Sequence, residues 1–320
     1  MAKVLITGIS GQDGGYLAEQ LLAVGDEVHG LVREQDRPGP DASGPALEGA
    51  HIHIADLTDT PALTRLIDDI APDEIYNLAG ISSVARSWAE PVTTGEVSGL
   101  AVAAVLQAAL ELSERLGRQV RVVQAASAEI FGNPAASPQD ESAPIAPVTP
   151  YGAAKAYAHH LVGVYRGRGL HAVSAILYNH ESPRRPTTFV TRKITRTAAL
   201  IARGEADELA LGNLDARRDW GWAPDYVDAM VRACRHDVPS DYVIATGVAH
   251  SVSEFVAAAF ARAGIEDWQR HVRVDPAFVR PVDAVELTGD STRARADLGW
   301  APTVDFEQVV AAMVDADLAG

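Results

Sequence analysis

Residues 149–155 read TPYGAAK, with Tyr151 and Lys155 four apart at what looks like the start of a helix. The (i, i+4) spacing puts both on one helix face, a turn apart. An ammonium beside a phenol is expected to lower the phenol's pKa, so that Tyr151 can act as acid or base near neutral pH. Ser127 ends the β-rich run RVVQAAS (121–127), 24 residues before Tyr151, and Glu129 follows two residues later. A serine hydroxyl at a neighbouring strand end can hold the same substrate oxygen as the phenol. Ser, Tyr and Lys together suit hydride transfer between a secondary alcohol and a nicotinamide. Glu129 adds a second base, which a simple dehydrogenation does not need and an elimination does. Taken singly, Y-x-x-x-K occurs by chance in many helices, Ser127 reads as a structural hydroxyl and Glu129 as a surface carboxylate.

Such chemistry needs a cofactor, and the start of the chain offers a place for one. Gly8, Gly11 and Gly14 are spaced G-x-x-G-x-x-G between the first strand-like run, KVLITG (3–8), and the first helical pattern. Glycines there let the backbone turn tightly and approach a pyrophosphate seated on helix N-terminal N–H groups; the alternative is a tight turn without a ligand. Asp56, in ADLTD after the third strand, either accepts from an adenine amino group or belongs with Thr58 and Asp59 as a helix N-cap. Arg33 closes the second strand, where an arginine favours a ribose 2′-phosphate and so NADP over NAD, although Glu34 beside it would repel that phosphate.

The elements that must position these groups follow from periodicity. Strands are expected at 3–8, 27–32, 51–55, 74–79, 121–127 and 171–178, with helices near 61–70, 97–116 and 151–167 between them. This alternation predicts an α/β fold, a Rossmann-type doubly wound parallel sheet covered on both faces, with a smaller, mixed C-terminal substrate lobe. The expected division is a dinucleotide-binding domain at 1–180, rejoined by 225–250, and a substrate lobe in most of 181–320. Helices are expected near 189–203, 225–236, 251–263 and 305–318, while 33–49 and 133–150, rich in Pro, Gly, Ser and Asp, read as loops.

Composition narrows the function classes. A charge of −16 argues against nucleic-acid and anionic-membrane partners. With no run of about 18 apolar residues, no membrane span is expected. Met1 stands two residues before a strand, leaving no room for a signal peptide, and Cys234 has no second cysteine to pair with, so a reducing cytoplasm is expected. Arg184, Arg185, Arg192, Lys193, Arg217 and Arg218 gather in one third of the chain and leave a local anion site open.

Over nearly its whole length the chain resembles the extended short-chain dehydrogenase/reductases, and among them the GDP-mannose 4,6-dehydratase family. The resemblance is carried by ITGISGQDGGYLAEQLL, PDEIYNLAG, QAASAEIFG, TPYGAAKAYA, RRDWGWAPDYVDA, a late VRPVD and, above all, the less common LYNHESPRRPTTFVTRKITR. It implies a cytoplasmic enzyme that oxidises C4 of a GDP-hexose with Tyr151, Lys155 and Ser127. Glu129 would then take the C5 proton and help expel the C6 hydroxyl as water before hydride returns to C6. It implies contacts to NADP, with NAD as the alternative, from Gly8, Gly11, Gln12, Asp13, Gly14, Arg33, Asp56, Leu57, Leu78, Ala79, Ser82, Tyr151, Lys155, His180 and Arg185. It implies contacts to the GDP-sugar, expected to be GDP-mannose, from Ser82, Ser127, Glu129, Asn179, Val190, Lys193, Arg218, Arg280 and Asp283. The expected assembly is a homodimer through helices 97–116 and 151–167, or a tetramer. The departures are specific. Ser127 replaces a threonine; Glu34 stands in place of a second arginine in a shortened loop, against a tetramer built through that loop. Ile81 and Ser83 replace a glutamine and a histidine, and Trp222 and Pro224 a histidine and a lysine. A related GDP-heptose dehydratase, a 4-epimerase or reductase, and a non-catalytic NADP(H) sensor are the rival readings.

Overall fold

The computed structural model describes residues 1–36, 47–278, 282 and 284–319. Arg280 and Asp283 lie outside the described residues, as does the centre of the 33–49 loop.

The chain opens with β1 (Lys3–Thr7), α1 (Gln12–Ala23), β2 (Glu27–Val32), β3 (His51–Ile54), α2 (Thr60–Ile70) and β4 (Glu74–Asn77). Next come α3 (Val84–Ala89), α4 (Pro91–Gly95), α5 (Ala101–Leu116), β5 (Arg121–Ser127), α6 (Pro150–Gly167) and β6 (His171–Leu177). With β10 (Asp241–Ile244), the six strands make a seven-stranded sheet ordered β10-β6-β5-β4-β1-β2-β3, parallel throughout. The order reverses between β1 and β4. In open α/β sheets the crevice beyond the carboxyl ends of the strands at such a reversal is where ligands bind.

Two apolar layers explain why these strands read as near-continuous Val, Leu, Ile and Ala. On one face Leu17, Ala18 and Leu21 of α1 pack on Val4, Ile6 and Val28, together with buried residues of α8 (Ala223–Arg235) that include Cys234. On the other, Leu63 and Ile67 of α2 and Val102, Val105 and Leu106 of α5 pack on Leu5, Ile75 and Val122. Cys234 is a free, fully buried thiol, as its apolar setting predicts.

The helix expected at 97–116 begins earlier, because α4 runs into α5 through one π turn at Glu96–Leu100. The stretch Pro91–Leu116 is long and apolar enough to cross a membrane by length and mean hydropathy, and 56% of its most apolar window is buried inside the protein. Polar residues such as Ser98 and Gln107 leave no unbroken apolar run there, and packing against α2 and α6 accounts for the apolar face.

A third core lies among α7 (Val190–Ala202), α9 (Val252–Arg262) and α11 (Phe306–Ala319), where Trp220 stacks on Phe306 and Phe255 meets both rings edge-on. Strand β9 (Arg217–Trp222) serves as its spine, paired with β7 (Asn179–Glu181), β11 (Ala249–Ser251) and β13 (Glu286–Leu287). β8 (Leu209–Leu211) pairs with β12 (Val272–Val274), and α10 (Thr292–Leu298) packs beside β10. Most of these strands have two or three residues, too few for a period-two pattern to show in the sequence.

Candidate active site

The turn after β1 is held from the neighbouring strand. Thr7 Oγ1 donates to Asn77 Oδ1 at 2.7 Å and accepts the backbone N–H groups of Leu78 and Ala79, both at 3.1 Å. The helix that follows crosses this turn closely, since a β-carbon on Gly14 would stand 2.3 Å from the Gly8 carbonyl oxygen. Only glycine permits that approach. Gly11 is the N-cap of α1 and supplies no side-chain cap. This is a tight backbone cradle at a helix N-terminus, the arrangement that receives a pyrophosphate.

Farther along the sheet edge, Arg33 donates through Nε to Asp36 Oδ2 at 2.6 Å. Asp56 Oδ1 accepts from the backbone N–H and hydroxyl of Thr58 at 2.9 and 2.7 Å, and these bonds hold its carboxyl below the usual range. Of the three candidates for the N-cap of α2, Asp59 fills the role, accepting from Ala62 N. Leu57 is buried in the apolar core and so offers a ligand only its backbone. Ser83 caps α3, and buried Ile81 donates its backbone N–H to Ser98 Oγ.

The reacting groups meet in a cavity of about 510 Å³ at the carboxyl end of the sheet. Asp13, Leu78, Ser82, Ser127, Glu129, Tyr151, Lys155, Asn179, His180, Arg185, Val190, Lys193 and Arg218 all line it. Gly8, Gly11, Gln12, Gly14, Arg33, Asp56, Leu57 and Ala79 are not on its wall; Gln12 and Gly14 open α1 and the others stand in the turns after β1 to β4. Ser127 is the last residue of β5 and accepts from Glu129 N at 3.3 Å, which places the glutamate in a single 3₁₀ turn, Ala128–Phe131. Thr149 caps α6 by accepting from Gly152 N at 2.9 Å, with Pro150 in the first helical turn, so Tyr151 enters the cavity at the helix start.

Electrostatics correct one expectation. The Tyr151 phenol is pushed up to about 12, chiefly by burial and also by the Glu129 carboxylate, against a hydrogen bond with Ser127 and the charge of Arg185. The Lys155 ammonium does not offset this rise. The Lys155 Nζ stands 5.9 Å from the phenol ring centre and donates to the Ala125 carbonyl at 2.7 Å. Burial also draws the Lys155 ammonium down to about 8. The loss of water around a phenolate outweighs a cation that is turned toward a backbone carbonyl. The cation that favours the phenolate here is Arg185.

A second group of charges joins the glycine loop to β7. His180 Nδ1 faces the Tyr178 carbonyl at 2.7 Å and Nε2 faces Asp13 Oδ2 at 2.9 Å. Burial opposes charge on this ring, but the Asp13 carboxylate and the Tyr178 carbonyl outweigh it and hold the imidazole's pKa above its usual value. Asp13 accordingly sits at about 2, its carboxylate favoured by His180 and by Gln12 against the cost of burial. Gln12 completes the group by donating to the His180 carbonyl at 3.2 Å and accepting from Ser182 Oγ at 2.8 Å. The Asp13 side chain is therefore engaged within the protein.

At the far end of the cavity Lys193 donates to the Ala210 carbonyl at 2.7 Å and lies 3.6 Å from the Phe278 ring centre. Arg218 is buried and donates to the carbonyls of Arg217 and Ala284 at 2.7 and 3.0 Å. Sequence reasoning missed Trp88, Glu181, Phe189, Thr191, Asn213, Trp220 and Phe278 on the cavity wall. The signal for Glu181, Phe189 and Thr191 was their place inside the uncommon 177–196 block, and for Trp220 its place in RRDWGWAPDYVDA; nothing in the sequence pointed to the others. Among the described residues no cluster of His, Cys, Asp and Glu suits a metal ion.

Known proteins give these features a context. The sequence model of the family described as GDP-mannose 4,6 dehydratase matches residues 5–313. GDP-mannose 4,6 dehydratase 2 of Arabidopsis thaliana is 44% identical over 323 residues, 98% of this chain and 86% of that one. The Homo sapiens GDP-mannose 4,6 dehydratase is 42% identical over 342 residues, 98% of this chain and 91% of that one. Among solved structures, the Thermus thermophilus UDP-glucose 4-epimerase in complex with NAD superposes with a TM-score of 0.82 at 26% identity, covering 98% of both chains. DesIV of Streptomyces venezuelae, a dTDP-glucose 4,6-dehydratase with NAD bound, superposes at 0.83 with 24% identity, covering 98% of this chain and 96% of that one.

Proposed function

The chain belongs to the GDP-mannose 4,6-dehydratase family, and from that premise we propose that it converts GDP-mannose to GDP-4-keto-6-deoxymannose with a nicotinamide dinucleotide. The observation that carries the reading is the meeting of Ser127, Glu129, Tyr151 and Lys155 in one cavity. The first, third and fourth suffice for oxidation at a secondary alcohol. The carboxylate two residues beyond Ser127 supplies the base for elimination, which separates dehydration from dehydrogenation.

The dinucleotide, seated on the glycine cradle at α1, supplies the hydride acceptor and later the donor. Tyr151 takes the proton of the sugar C4 hydroxyl once it is a phenolate, a form that the hydrogen bond with Ser127 and the charge of Arg185 favour against burial, and Ser127 holds the same sugar oxygen. Lys155 keeps the Tyr151 region polarised from the Ala125 side. Once C4 is a ketone, the C5 proton is acidic, and Glu129 removes it. The C6 hydroxyl leaves as water, with the proton delivered from the same carboxyl group; return of the hydride to C6 is then balanced by a proton to C5, the equivalent of the one that Tyr151 took from the C4 hydroxyl. The cationic His180 and Arg185 offset phosphate charge on the cofactor side. Lys193 and Arg218 do so on the nucleotide-sugar side, where arginine's planar fork suits a diphosphate.

NADP is the proposed dinucleotide, on the strength of Arg33 at the end of β2, where a 2′-phosphate would displace Asp36 from the guanidinium. The proposed assembly is a homodimer. Leu100, Tyr157 and Val164 are 58%, 42% and 58% exposed on the helix pair built from α5 and α6, an apolar surface that a second copy would cover. The buried free thiol of Cys234 suits a cytoplasmic address. Incubation with GDP-mannose and NADP⁺, followed by mass spectrometry, tests the activity directly: the expected product has lost one water. An unchanged sugar nucleotide, or an isomer of the same mass, overturns the assignment, the second outcome in favour of an epimerase.

A further inference from the structure

Glu181 has no part in the chemistry above, yet the residue borders the cavity and is only 1% exposed. A carboxylate that far from water persists where partners hold it. Two do so from different sides. Thr191, in the first turn of α7, donates from Oγ1 to Glu181 Oε2 at 2.6 Å, and Arg185 brings Nε to within 3.2 Å of the same oxygen. The opposite restraint on Arg185 is the ring of Phe189, whose centre lies 3.9 Å from the guanidinium carbon. The guanidinium is thus clamped between a carboxylate and an aromatic face. The contact with Glu181 is a close ion pair without a hydrogen bond from Nε.

The connectivity gives this clamp a meaning beyond packing. Residues on the dinucleotide side (Arg185) and at the start of the helix that bears the nucleotide-sugar contacts Val190 and Lys193 are fastened to one buried carboxylate at the end of β7. We infer that Glu181 is a positioning residue: oriented by the Thr191 hydroxyl, it holds the Arg185 guanidinium where the bound dinucleotide needs it. The inference rests on the assignment of Arg185 to the dinucleotide in the proposed function.

A double-mutant cycle on the full chain tests it, using Glu181→Gln, Arg185→Ala and the pair. Dissociation constants for NADP⁺ and NAD⁺ are measured by calorimetry, and that for GDP separately. Arg185→Ala is expected to weaken the preferred dinucleotide about tenfold or more, Glu181→Gln by about five- to tenfold, and the pair no more than Arg185→Ala alone. GDP binding is expected to stay within about twofold throughout, which a general loosening of the fold would not allow. Thr191→Val keeps the carboxylate and removes only its orienting hydroxyl; it is expected to weaken the dinucleotide by about two- to fivefold and serves even where Glu181→Gln does not fold. Additive effects in the cycle, GDP affinity falling in step with dinucleotide affinity, or an unchanged Thr191→Val would each overturn the role of Glu181. Failure of the wild-type protein to bind either dinucleotide would overturn the inference together with the functional reading beneath it. Binding with an additive cycle would remove the inference alone.

Discussion

The backbone carbonyl oxygen of Glu129 lies 2.5 Å from the position a β-carbon on Gly152 would occupy. The first turn of α6 and the 3₁₀ turn carrying Glu129 are pressed together there, and that contact sets the phenol of Tyr151 beside the carboxylate. The neighbour is backbone, which yields less readily than a flexible side chain. Gly152→Ala is therefore expected to part the two turns, lowering kcat by about 10- to 100-fold and stability by about 1–3 kcal/mol. Steady-state rates and urea denaturation check both, and wild-type kinetics in this variant would contradict the packing argument.

Tyr151→Phe removes the proton acceptor while keeping the ring that fills the cavity. Turnover is expected to fall by about 10³-fold or more, with dinucleotide affinity held within about twofold of wild type. Rates with GDP-mannose and a titration with NADP⁺ are the measurements. Retained turnover would remove Tyr151 from the mechanism.

Glu129→Gln separates the two halves of the reaction. Oxidation at C4 needs Ser127 and Tyr151, so a single turnover should still reduce the nicotinamide; elimination needs the carboxylate, so the 4-keto-6-deoxy product should fall by about 10²- to 10⁴-fold. A stopped-flow burst of reduced nicotinamide absorbance without product is the expected signature. Loss of the burst and the product together would place Glu129 in the first step instead.

His171 gives the fold an acid weakness. It is buried at the start of β6, and burial together with Arg121 draws its pKa from 6.5 to about 4, against a weak contact with the Cys234 backbone. The unfolded chain binds a proton in this window while the folded chain does not, so stability is full above pH ~6.5 and is lost as pH falls toward ~4. The loss is on the order of 2–3 kcal/mol at most. Denaturation midpoints across this range should flatten in His171→Leu, and an identical slope in the variant would exclude His171 as the cause.

The dinucleotide preference has its own readout. Arg33→Ala is expected to weaken NADP⁺ by about tenfold and leave NAD⁺ within about twofold, because only a 2′-phosphate needs the guanidinium. Equal loss for both dinucleotides would mean that Arg33 does not read the 2′ position.

Several features were legible in the chain itself because they depend on near neighbours. Alternation of apolar runs and helical periods announced the parallel sheet, and residues 121–127 were bounded correctly as β5. β10 joins the main sheet beside β6. The i, i+4 spacing put Tyr151 and Lys155 on one turn, and the glycine spacing marked the cradle at α1. The electrostatics belonged to the tertiary structure alone. Lys155 turns to Ala125, 30 residues away, and Asp13 meets His180 across 167 residues. Tyr151 feels Arg185 and the loss of solvent more than the lysine that its sequence position suggested. Periodicity is a property of consecutive residues, so the sequence determined which elements form and which groups they carry. A pKa depends on which distant side chains and how much water surround a group, and only the closed fold decides that.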